Sequence, residues 1–174
     1  MRRGGWIVIL VVVVISVLGI IVYSLDKKTS KTELADWKTF NDVKSGFSLK
    51  YPNNGWSDFF KEKSSAPLYL KNNKTEKQSY SIEIFALENI TLNKAIETDS
   101  TIRLTKGESQ RTDMIIEGKE AAKIVGIVSQ GGTEDRQYIN TLIQNGNSVI
   151  KIVLLDKADE EIYNQILLTI KFGN

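Results

Sequence analysis

Any chemistry this chain performs has to come from carboxylates, lysines, hydroxyls and backbone, because its 174 residues include no histidine and no cysteine. That removes thiolate nucleophiles, Cys/His zinc sites, Ser-His-Asp triads, imidazole switches and disulfides. The sequence has no Gly-x-Ser-x-Gly elbow, no Gly-x-x-x-x-Gly-Lys phosphate loop and no Gly-x-Gly-x-x-Gly turn. Two acidic groupings remain. Glu134 and Asp135 lie in a glycine-rich turn beside Arg136, with no third acidic ligand nearby. Calcium needs about 6–8 oxygens, so a solvated turn is the expected reading. Asp156, Asp159, Glu160 and Glu161 open a helical pattern, where capping and the helix dipole account for them. Glu83 and Lys151 fall within apolar strands. A buried pair is one reading of them, and exposure on one face of an edge is the favoured one. Trp56, Phe59 and Tyr80 are the candidate ligand-binding aromatics; core packing is the simpler role for Trp56, Phe59 and the adjacent Phe60. No catalytic residue, metal ligand or cofactor site is nominated, and the expectation is a protein that is not an enzyme.

The elements that would position these groups divide unevenly along the chain. Residues 4–25 carry no charge, and among the inner residues of the 6–23 run only Ser16 is polar. As a helix this run covers roughly the 30 Å hydrocarbon core. Trp6 and Tyr23 bracket it, where amphipathic rings sit at membrane interfaces. A cleaved signal peptide has a shorter apolar core and a small-x-small exit, and Val22-Tyr23-Ser24 is a poor exit. The expected organisation is a basic head (1–5), a transmembrane helix (6–23), a juxtamembrane linker (24–35) and an α+β domain (36–174). Basic residues flank both ends of the run, but the short head before one long span suits a signal-anchor. The domain is then extracytoplasmic on a single-pass plasma-membrane protein.

Five of the 23 basic and two of the 21 acidic residues lie within residues 1–35, which leaves 18 and 19 in the rest. A balanced domain has no electrostatic footprint for nucleic acid, so the expected partners are the membrane and another protein.

Gly46-Phe47-Ser48-Leu49-Lys50-Tyr51 alternates and stops at Pro52, as a half-buried strand does. Further strands are expected at 56–61, 68–71 and 80–87, with Tyr80, Ile82, Ile84 and Ala86 on one face of the last. Thr91 caps a helix carrying Leu92, Ala95 and Ile96, and 106–110 reads as a loop. Runs 119–128, 136–144 and 148–155 form an antiparallel meander, its second turn at Asn145-Gly146-Asn147. Asp156 caps a last helix with Ile162, Tyr163, Ile166, Leu167 and Ile170 along one stripe. Two strands are apolar on both faces, which asks for covers on both sides of the sheet.

Three segments, in order, resemble motifs of the PsbP-like family: Gly46-Phe47-Ser48-Leu49-Lys50-Tyr51-Pro52 with Trp56, Gly118-Lys119-Glu120-Ala121, and Ile166-Leu167-Leu168-Thr169-Ile170-Lys171-Phe172. The resemblance implies an α/β/α sandwich around a central antiparallel sheet. It also implies a binding or assembly role, since the family includes the extrinsic protein of photosystem II, a Ran-binding relative and bacterial envelope proteins with no common catalytic site. Plant members' metal-associated histidines have no counterpart here. The expected function is a tethered binding module acting through protein contacts. The alternative is a tethered carrier or sensor for a small apolar or cell-wall-derived ligand.

Overall fold

The computed structural model describes residues 36–59, 68–74, 80–103, 107–128 and 136–173. Residues 6–23, with Trp6 and Tyr23, lie outside them, as do Phe60 and the Glu134-Asp135 turn. Apart from Asp36 and Trp37, the described residues belong to one compact unit, Lys38–Asn174.

The unit is α+β, with antiparallel strands in two sheets. The larger sheet has seven strands in the order β3 (Trp56–Phe59), β4 (Leu68–Asn72), β5 (Ile82–Glu88), β9 (Ser148–Leu154), β8 (Arg136–Asn145), β7 (Lys119–Val128) and β6 (Gln110–Ile116). The smaller pairs β2 (Phe47–Tyr51) with β1 (Lys38–Asp42) on one side and the short β10 (Lys171–Phe172) on the other. The helices are α1 (Leu92–Thr98), α2 (Ser100–Arg103) and α3 (Glu160–Leu167).

The two-faced apolar strands sit in the middle. In β8 every residue from Tyr138 to Ile143 is buried, and β9 buries Val149, Ile150, Ile152, Val153 and Leu154. Side chains alternate faces along a strand, so each face needs its own cover. On one face Leu92 and Ala95 of α1 pack with Ala122, Ile124, Leu142 and Val149. On the other, Tyr163 of α3 is wholly buried, and its hydroxyl hydrogen-bonds Thr141 Oγ1 at 2.6 Å and the Ile152 carbonyl at 3.2 Å. Burial pushes that phenol well above its ordinary pKa. Ile166 and Ile170 continue the expected stripe into the core.

Local signals account for most boundaries. The Thr91 side chain accepts from Lys94 N at 3.4 Å, capping α1 as expected. Asp156 caps a 3-10 turn, Lys157–Asp159, through Ala158 N, and α3 begins only at Glu160. Asp159, expected to support that helix start, is instead buried, and its Oδ1 accepts from Asn72 Nδ2 at 2.7 Å. Asn145 pairs with Ser148 across a two-residue loop, Gly146-Asn147, with φ +59° at Gly146. A positive φ at the first loop position is the type II′ arrangement, which favours glycine there. The Asn145 side chain is thereby free to donate to the Ser45 carbonyl at 2.9 Å, joining this turn to the β1–β2 loop.

Glu83 and Lys151 do not lie on an edge. They stand on the central strands β5 and β9, on the face that α1 covers. The Lys151 ammonium, with its side chain 12% exposed, pairs with Asp99, whose side chain is 3% exposed, and lies 5.5 Å from the Phe85 ring centre. Asp99 terminates α1 and starts α2, accepting from Thr101 N at 2.8 Å and Ile102 N at 3.1 Å. One carboxylate therefore neutralises a buried cation and fixes the helical junction above it. A buried pair is costly to break from one side, because the remaining charge loses both water and partner. Lys151→Met should destabilise the domain by about 3–5 kcal/mol in denaturant melts. The double variant Lys151→Met/Asp99→Asn should lose less, since Asn still caps α2; equal losses would mean the ion pair does not hold this junction.

The two sheets meet through a second polar contact. Tyr51 of β2 donates to Asp58 Oδ2 of β3 at 2.6 Å, and Lys38 Nζ lies 3.2 Å from the same oxygen. The Tyr51 bond, helped by Lys38 and opposed by burial, holds the Asp58 carboxyl below the usual carboxylate range. Burial and then Asp58 itself push the Tyr51 phenol above its usual value. A carboxyl whose folded pKa is depressed contributes stability that is complete above its unfolded pKa, about 3.9, and is lost as pH falls through the lower folded value. Melting curves of Asp58→Asn should therefore lie below those of the parent at neutral pH and converge with them in acid. Parallel offsets at every pH would place the loss elsewhere.

Candidate binding surface

Strand β6 is the one long element of the described residues left bare on both faces. Six of its seven residues are exposed and Ile116 is half-buried. It bonds β7 over the full register from Gln110↔Val125 to Ile116↔Lys119, and no described strand lies beyond it. The connecting turn is Glu117-Gly118, with φ +47° and +75°. Two central positive φ values are the type I′ signature whose twist matches a hairpin. Glutamate is an uncommon occupant of that conformation.

The strand carries apolar side chains into solvent, Ile115 at 68% exposure and Met114 at 36%. On the α1-facing side Arg111, Asp113 and Ile115 alternate with residues of the other side. Arg111 Nε donates to Asp113 Oδ1 at 2.7 Å, and its Nη2 reaches Asn93 Oδ1 of α1 at 3.3 Å. Between β6 and the start of α1 lies an open cleft of about 640 Å³, lined by these residues with Glu120 and Gln144. Gln144 closes its inner end. Its Oε1 accepts from Leu92 N at 2.5 Å, and its Nε2 donates to the Gly146 and Ser148 carbonyls at 2.8 and 3.1 Å. Thr91 and Gln144 also line a smaller cleft of about 330 Å³ over the β8–β9 turn. Such a surface offers strand backbone with no partner among the described residues, mixed charge and a few apolar side chains. It suits an extended chain better than a small apolar molecule, which prefers an enclosed, largely apolar cavity.

The aromatics singled out from the sequence are brought only partly together. Phe59 and Tyr80 meet edge to face with ring centres 5.5 Å apart. Tyr69 stands 4.8 Å from Tyr80 and 6.4 Å from Phe85, so the stack runs across β3, β4 and β5. Phe59 is 44% exposed, which overturns the core role expected for it. Trp56 lies three residues away, opposite Asn72, on the other face of the same strand. An odd spacing along a strand separates them by the pleat. None of the three lines either cleft just described. Gln110, expected within the 106–110 loop, instead opens β6, and residues 111–117 carry no expectation from the sequence. The signal available was Glu117-Gly118 after Met114-Ile115-Ile116.

Among the described residues no three acidic side chains come together to hold a metal ion. Asn140 of β8 is wholly buried between Ile124 and Val153, with no hydrogen-bond partner for its amide among the described residues.

No family model matches the chain, and no curated protein matches it either. Among solved structures it is similar to cyanobacterial PsbP from Synechocystis sp. PCC 6803, at 14% identity and a TM-score of 0.58, covering 79% of this chain and 93% of that one. It is also similar to a crystal structure from Bacteroides thetaiotaomicron VPI-5482, at 12% identity and a TM-score of 0.55. That match covers 80% of this chain and 49% of the Bacteroides chain, so this chain spans about half its length. The fold is PsbP-like, as the three sequence motifs implied.

Proposed function

We propose that the chain is a membrane-tethered, extracytoplasmic binding module that engages a protein partner and carries out no catalytic step of its own. The carrying observation is β6, a seven-residue edge strand exposed on both faces beside an open cleft. Exposed edges are costly to keep, because their unpaired N–H and C=O groups template unwanted pairing, so an unprotected one is better explained by use. The charge-balanced domain and the absence of histidine and cysteine support a module that binds rather than reacts. Its likeness to cyanobacterial PsbP supports the fold on which such modules are built. Among the described residues no helix is long and apolar enough to cross a membrane, so tethering rests on residues 6–23. In this reading 24–35 is the linker and 36–174 the exported domain.

The cleft gives the small-ligand reading a place, but away from Trp56, Phe59 and Tyr80, on which that reading was founded. A photo-cross-linking residue at Ile115 of the full chain in cells should give a discrete protein adduct. The same residue at Leu168, which is 77% exposed, should give none. Met114→Lys, the kind of change that protects natural edges, should suppress the adduct without altering the melting curve. A reporter active only outside the cytoplasm, fused after Asn174, should be active. Equal adducts at both positions, or activity only in the cytoplasm, would overturn the reading.

A further inference from the structure

We infer that the partner seated on β6 is a second copy of this chain, paired β6 to β6 about a two-fold axis through Thr112; this rests on the protein-contact reading above. The two edges of the large sheet are treated differently. At one end β3 has four residues, and its Asp58 is tied to Tyr51 and Lys38 of the smaller sheet. At the other, Gln110–Ile116 is longer, has neither lysine nor proline and has no such cover among the described residues. Short length, lysine, proline and covering elements are among the usual devices against edge pairing, and among the described residues β6 has none of these; its two charged side chains, Arg111 and Asp113, are paired with each other.

Its charge arrangement is self-complementary. Antiparallel strands related by a two-fold axis normal to the sheet keep their faces, so every residue meets one from the same face. An axis through Arg111 or Asp113 would stack like charges directly opposite each other, which is destabilising. An axis through Met114 would set Asp113 against Ile115 and Arg111 against Glu117, a turn residue that already lies 3.6 Å from Lys171 Nζ. An axis through Thr112 sets Arg111 opposite Asp113 of the other copy, twice, with Thr112 meeting its own copy. Arg111 and Asp113 are already paired along the strand at 2.7 Å. The dimer would close these two pairs into a square of alternating charges, each arginine flanked by two carboxylates. Threonine–threonine and opposite-charge pairs directly across a ladder are each favourable. The result is one continuous sheet in which both β6 edges are satisfied.

The absence of native cysteine makes the register directly readable. In the full chain purified in detergent, Thr112→Cys should oxidise to a covalent dimer. Met114→Cys should not, because its two sulfur-bearing residues stand about 13 Å apart along the strands in this register, beyond the roughly 7 Å between Cα atoms that a disulfide spans. Lys157→Cys serves as an exposed reference on another element. Arg111→Asp and Asp113→Arg should each weaken self-association about tenfold by sedimentation, and the Arg111→Asp/Asp113→Arg exchange should restore it. Restoration by the exchange also excludes simple misfolding of the single variants. Cross-linking of Thr112→Cys no better than Met114→Cys or Lys157→Cys overturns the inference. If a monomeric chain still gives an Ile115 photo-adduct with a different protein, the second copy is excluded and the protein-contact reading stands. If neither adduct forms, both fall.

Discussion

Burial of β8 and β9 on both faces is the constraint on which the rest of the domain depends. Six consecutive residues of β8 and most of β9 are removed from water. Each fully buried aliphatic or aromatic side chain contributes about 1.5–3 kcal/mol, so neither face can be left open. The helices on the two faces of this region follow from that need. Helix α1 brings Leu92 and Ala95 to one face, and α3 brings Tyr163 and Ile166 to the other. The same burial dictates what the polar residues of these strands must do. Lys151 needs the Asp99 carboxylate, and Thr141 takes the Tyr163 hydroxyl. The junction between α1 and α2 is fixed by the answer to the first of these demands.

The covers do not extend across the whole sheet. A seven-residue helix is about 10 Å long and about as wide, enough to span two or three strands at about 4.8 Å spacing. Helix α1 packs on β8 and β7. Beyond β7 the cover thins, so β6 is bonded on one side and solvated on the others, with the cleft marking where the helix ends. The surface proposed for binding is therefore a consequence of a short cover on a wide sheet. Arg111 reaching to Asn93 and Gln144 holding Leu92 N give that margin a defined shape.

The central architecture was legible because it is written in periodicity. Phe47, Leu49 and Tyr51 alternate, Ile166 and Ile170 follow helical spacing, and Thr91 marks a cap. What the sequence concealed were elements whose residues do not alternate. Gln110–Ile116 begins with four polar residues and ends with three apolar ones, because a strand bare on both faces has no buried side to impose a period of two. Its turn uses Glu117-Gly118, outside the Asn-Gly and Asp-Gly usage that announces a hairpin. The partner of Lys151 was hidden for a different reason. Asp99 lies about fifty residues earlier in the chain and meets it only through the packing of α1 on the sheet. Phe59 departs from its expected core role because it stands three residues from Trp56 along β3, an odd spacing that sends it to the other face. The candidate surface was thus less legible than the fold. Edges are defined by what does not pair with them, and that is a property of the whole sheet order.

Amide hydrogen exchange across β6 tests the central claim most directly. The amides that point away from β7 have no partner within the described residues of one copy. The account predicts that their protection in the full chain rises with protein concentration, while β9 exchanges slowly and independently of concentration. Exchange in β6 that stays fast at every concentration, with and without cell extract, would contradict it. So would protection that is already complete in the dilute chain.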